Sequence, residues 1–115
     1  MLVALALGGL SACGGSSKSS EPTKTATGGK ITVIASDIHF DVGDIKAAPG
    51  SLTVTLKNDG AIQHTFKIEG TALDLKTNGG KTTTGTVTLA KGTYKYECTV
   101  PGHASQGMKG QVIVG

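Results

Sequence analysis

The chain has 115 residues, enough for one domain and no more. Its net charge of +3 comes from eleven lysines, with no arginine, against eight acidic residues. With no arginine fork and no basic run, the sequence is not that of a nucleic-acid binder.

Leu2 to Leu10 form an apolar run too short to span a bilayer, and it ends in Leu10-Ser11-Ala12-Cys13. That ending resembles a bacterial lipobox, in which small residues precede a cysteine that receives diacylglycerol. The expectation is a signal peptide over residues 1–12 and lipidation of Cys13, leaving an extracytoplasmic protein anchored to the cell membrane by a lipid, on its periplasmic or outer face. The other reading is an ordinary signal peptide cut near Ala12. No lysine or arginine precedes the run, a departure from the usual signal peptide.

Residues 14–29 contain Gly, Ser, Thr and Lys with one Pro, one Glu and one Ala, but no Val, Ile, Leu or aromatic residue. Such a stretch buries too little to order itself, so residues 13–29 are predicted to be a flexible tether about 20–24 Å end to end. The foldable domain is then residues 30–115. If Cys13 is lipidated, Cys98 is the one cysteine left, which rules out a disulfide scaffold.

From Lys30 onward the pattern is one of short strands. They are predicted at Lys30–Ala35, Ile38–Val42, Ser51–Asn58, Ile62–Glu69, Lys81–Leu89, Gly92–Cys98 and Gln111–Val114. Pro49-Gly50, Asp59-Gly60, Asn78-Gly79-Gly80 and Lys91-Gly92 mark turns between them. No stretch carries the spacing of a long helix. The prediction is an all-β domain, a Greek-key β-sandwich of seven to eight strands. Alternation puts Leu52, Val54 and Leu56 inward, then Ile62, His64, Phe66 and Ile68, then Tyr94, Tyr96 and Cys98. Thr65 falls on the outward set. His39, between Ile38 and Phe40, reads as exposed and not a ligand.

The chemistry lies in Cys98-Thr99-Val100-Pro101-Gly102-His103-Ala104-Ser105-Gln106-Gly107-Met108. This spacing, C-x4-H-x4-M, puts a thiolate, an imidazole and a thioether on one loop, with His64 upstream as a second imidazole. Thiolate and thioether suit Cu(I), and imidazole suits Cu(II) as well, so His64, Cys98, His103 and Met108 are the candidate ligands of one mononuclear copper ion. Zinc prefers four strong ligands and fits Met108 poorly. No carboxylate pair, nucleophile–base motif or second metal site is visible, so no enzyme is expected.

The segments Gly92 to Cys98, Pro101-Gly102-His103 and Gly107 to Gly110 resemble the copper-binding end of a cupredoxin. The loop spacing is similar to that of auracyanins, rusticyanin and sulfocyanins, and the likeness runs from about Lys30 to Gly115. The resemblance implies a blue copper, type 1 electron-transfer protein, monomeric, meeting redox partner proteins through an apolar patch of Val100, Pro101 and Ala104 around His103. Plastocyanin-like proteins commonly have Asn where Thr65 follows the first histidine. Thr can also hydrogen-bond across the two ligand loops, over a shorter reach. The alternative function is a copper-binding or copper-delivery lipoprotein without an electron-transfer role.

Overall fold

Apolar residues at alternate positions give the longer strands one greasy face, and two sheets bury those faces against each other. The computed structural model describes residues 21–115; the signal segment, Cys13 and the first part of the predicted tether lie outside them. The described strands are β1 Lys24–Thr25, β2 Lys30–Ser36, β3 His39–Phe40, β4 Ile45–Ala47, β5 Gly50–Asn58, β6 His64–Ile68, β7 Asp74–Thr77, β8 Thr82–Leu89, β9 Gly92–Glu97 and β10 Lys109–Val114. One sheet has the order β1-β4-β10-β9-β6-β7 and the other β3-β2-β5-β8. The all-β sandwich expected from the sequence is therefore present.

The strand count is ten among the described residues, above the predicted seven to eight. The additions are β1, β4 and β7, each of two to four residues, too short for alternation to identify them. β1 also moves the start of ordered structure upstream of Lys30. Lys24 and Thr25 pair in parallel with Ile45 and Lys46, and the Ala26 N–H donates to the Lys46 carbonyl at 2.8 Å. Lys24 further forms an ion pair with Asp41. Composition measures what side chains can bury, whereas this segment is held mainly by backbone hydrogen bonds to a sheet edge.

The core is closed by Phe40, Phe66 and Tyr96, with ring centroids 4.7 to 6.0 Å apart. Around them lie Val33, Leu52, Val54, Leu56, Ile45 and Val112, all buried. Burial of each such aliphatic side chain contributes roughly 1.5–3 kcal/mol, so this core does not depend on a metal to form. The Tyr96 hydroxyl is the one polar intrusion among the three rings. It donates to the Val42 carbonyl at 3.1 Å and also contacts the Gly43 carbonyl. Burial first, then the nearby Asp44 and Asp41, push its pKa far above the usual tyrosine range.

β6 and β9 run antiparallel, pairing Lys67 with Glu97 and Ile68 with Tyr96. The start of β6 therefore lies beside the end of β9, at one end of the sandwich. His64 opens β6 and Cys98 follows β9, so the register itself brings them together.

Candidate metal centre

Residues 98–108 join β9 to β10 and carry three of the four predicted ligands. Val100-Pro101-Gly102-His103 forms a turn in which the His103 N–H donates to the Val100 carbonyl at 3.0 Å. Proline at the second position and Gly102 at φ 83 in the third are what a type II turn requires. The turn sends His103 back towards Cys98. A single 3-10 turn, Ala104–Gln106, follows. The His103 carbonyl then accepts from Gln106 at 3.0 Å and from Met108 at 3.3 Å. Finally the Cys98 N–H donates to the Met108 carbonyl at 2.9 Å, closing the loop on itself.

All four predicted ligands are buried at this end: His64 and Met108 fully, Cys98 nearly so, and His103 with 7% of its surface exposed. One donor atom from each of His64, Cys98 and His103 lies within 4.8 Å of the others. The Nδ1 atoms of the two histidines are 3.3 Å apart, and His103 Nδ1 is 3.5 Å from Cys98 Sγ. Two ring nitrogens and a sulfur converge on one point, an arrangement suited to a cation that all three can ligate. Burial first, and the neighbouring His103 second, lower the pKa of His64, so its ring stays neutral with a lone pair free to ligate. The donor set of one thiol, two imidazoles and a thioether fits copper in both of its common oxidation states.

Around the ligands, polar groups replace the hydrocarbon of the core. The Thr65 N–H donates to Cys98 Sγ at 3.4 Å. The Thr65 Oγ1 accepts the Thr99 N–H at 2.7 Å and lies 2.8 Å from the Thr99 hydroxyl. If the Thr99 hydroxyl donates, both lone pairs of Thr65 Oγ1 are used, and its own hydrogen is free for Cys98 Sγ at 3.8 Å. Extending the β6–β9 register places Thr65 opposite Thr99, where backbone pairing has stopped. The side chain thus continues the ladder, which is why Thr65 is buried although alternation put it outside.

Alternation also fails at Ile62, predicted inward and found 42% exposed. β6 begins only at His64, and residues 59–63 form a loop with its own bonding. Asn58, buried at the end of β5, donates to the carbonyls of Ile62 and Thr77 at 2.8 and 3.0 Å and accepts from the Gly60 N–H at 2.9 Å. Asp37 accepts from the N–H groups of Ala61 and Ile62. Neither residue was identified from the sequence. Asn58 continues the inward series Leu52, Val54, Leu56, so a polar residue on an apolar face was its available signal. Asp37 has none, since Ala61 is 24 positions away. His39 is exposed as predicted, beside Glu21 at 3.3 Å.

Residues 27–115 match the family model described as copper binding proteins, plastocyanin/azurin family. The fold is similar to a dithionite-reduced auracyanin from the photosynthetic bacterium Roseiflexus castenholzii, with a TM-score of 0.70 and 25% identity over 78% of this chain and 98% of that one. Reduced rusticyanin matches with a TM-score of 0.64 and 23% identity, covering 79% of this chain and 83% of that one. A multicopper oxidase matches at 0.64 and 20% identity over 74% of this chain but only 41% of that one, a likeness of fold. No curated protein sequence matches.

Proposed function

Because this chain belongs to the plastocyanin/azurin family of copper-binding proteins, with copper as its cofactor, we propose that it is a one-electron carrier tethered outside the cytoplasmic membrane. His64, Cys98, His103 and Met108 are the residues that hold the metal in this reading. Copper held there would supply a Cu(II)/Cu(I) couple able to take up or release one electron.

The observation that carries the reading is the buried convergence of His64 with Cys98 and His103, the latter two on a loop tied back on itself. A donor set held by its surroundings changes little when the metal changes charge, which favours electron transfer. Burial also disfavours the delivery reading, since a metal handed to another protein needs an accessible exchange route. His103 is the ligand nearest solvent, and the exposed Pro101 and Gly102 lie beside it in sequence, with Val100 and Ala104 partly exposed. Exposed Ile62 lies on the segment leading into His64. Small apolar contacts of this kind suit brief encounters between carriers. No helix of the described residues is long and apolar enough to cross a membrane. In this reading attachment rests on the lipid expected at Cys13, and two acyl chains suffice for stable anchoring.

The test is absorption and electron paramagnetic resonance of the copper-loaded protein, followed by two rates on the same preparation. An intense visible band that bleaches reversibly on reduction is expected. Electron self-exchange should outpace copper transfer to a chelating acceptor. Val100→Asp should slow exchange with a partner while leaving the spectrum unchanged, because a charge is desolvated at the contact. Copper leaving faster than electrons exchange would establish the delivery reading instead. Mass spectrometry of the membrane fraction checks the anchor through a diacylated N-terminal Cys13.

A further inference from the structure

We infer that Asp37 is a positioning residue for His64: its carboxylate takes the Nε2–H of that ring, fixes Nδ1 towards the metal and holds the reduction potential down. The inference rests on the copper reading above. His64 Nε2 is buried and forms no fully aligned hydrogen bond, and the nearest acid is Asp37, with Oδ1 at 3.5 Å. His64 Nδ1 is the atom that meets His103, and a metal held there would leave Nε2 to carry the ring proton. A buried N–H needs an acceptor, and a carboxylate in that place makes the imidazole a stronger donor to the metal. More electron density and a nearby negative charge both favour Cu(II) over Cu(I).

Three features hold the carboxylate there. Asp37 and Ile38 form the two-residue connection between β2 and β3, whose flanking Ser36 and His39 are paired. Ile38 has φ 44, the one positive φ outside glycine among the described residues. A β-branched residue rarely adopts that conformation, and Ile38 packs against the core in it. Next, the same carboxylate accepts Ala61 N–H at 3.1 and 3.2 Å and Ile62 N–H at 3.4 Å, linking the turn to the segment that enters His64. Last, Gly60 makes room for it: a Cβ there would lie 2.3 Å from Asp37 Oδ1 and 3.0 Å from its Cγ. The acid is half exposed, so solvent screens its charge and the effect on the metal is moderate.

The plainer role for Asp37 is a clamp on residues 61–62 with no influence on the metal. Asp37→Asn separates the two, because the amide oxygen still accepts the backbone N–H groups while the charge is gone. The midpoint potential of the blue band should rise in this variant, with an about tenfold change in relative affinity for Cu(I) over Cu(II), equal to about 59 mV. Amide protection at Ala61 and Ile62 should stay near wild type, whereas Asp37→Ala should lose both. In the wild-type apoprotein, nitrogen-15 NMR should find the His64 proton on Nε2, a result that does not depend on any variant folding. An unmoved potential in Asp37→Asn, or a proton on Nδ1, overturns the inference and leaves the copper reading standing. A wild-type protein without a blue band removes both.

Discussion

The two ends of strands β6 and β9 obey different rules. In the middle of the sandwich, Phe66 and Tyr96 stack at 4.7 Å and meet Phe40, contacts that hydrocarbon of about the right shape could supply. Two residues along the chain from them, Cys98 Sγ takes the Thr65 N–H, Thr65 meets Thr99, and Asn58 and Asp37 hold the loop that leads into His64. Packing makes the strands and sets their register. Hydrogen bonds aim the ligands once the strands exist. A core truncation that leaves the strands paired should therefore leave the chemistry of the site intact, and the site can be altered without unfolding the core.

That separation can be broken on purpose. Cys98→Ser has the largest expected effect, complete loss of the blue band, since serine oxygen is a harder and poorer donor to copper. The same variant should unfold in urea with a midpoint close to that of the wild-type apoprotein. A large fall in that midpoint would show that the site holds up the fold. Phe66→Ala attacks the other side. It should destabilise the protein by about 3–5 kcal/mol through lost burial and a cavity at the ring cluster. At low temperature the surviving folded protein should still turn blue, and a colourless but folded variant would contradict the separation.

The smallest effect concerns acid. His64 in the folded apoprotein has a pKa below the unfolded value near 6.5, chiefly through burial. Above pH 6.5 neither state holds the extra proton, and this contribution to stability is fully present. As pH falls from 6.5 towards the folded pKa, the unfolded chain takes up a proton that the folded chain refuses. Stability then drops, by at most about 1.4 kcal/mol per pH unit for this one group. Urea titrations of the apoprotein at pH 8, 6.5 and 5.5 measure it, and a His64→Phe variant should lack that part of the slope. A rise in stability on acidification over this range, absent from the variant, would reverse the assignment.

Sequence alone determined the sandwich, the inward sets of β5 and β9, and the four ligand types in order. Each of these depends on relations within one segment: alternation along a strand, or C-x4-H-x4-M along a loop. Period-two patterning reads faces because side chains in a strand must alternate, and ligand softness reads the metal because bonding preference belongs to the atom. Pro101-Gly102 was legible for the same reason, since a turn of four residues is local chemistry.

Only the tertiary structure decided what lies between segments. Lys24 and Thr25 became a strand because the edge of β4 offered backbone partners, which no count of apolar residues contains. Thr65 became buried because register set it opposite Thr99 just where the ladder ends, and Ile62 became exposed because Asn58 and Asp37 hold its loop out of the strand. Asp37 reaches His64 across a strained turn. Such contacts are set by where the folded chain brings distant residues together, and a hydrogen bond of about 3 Å reports a meeting that sequence distance does not encode.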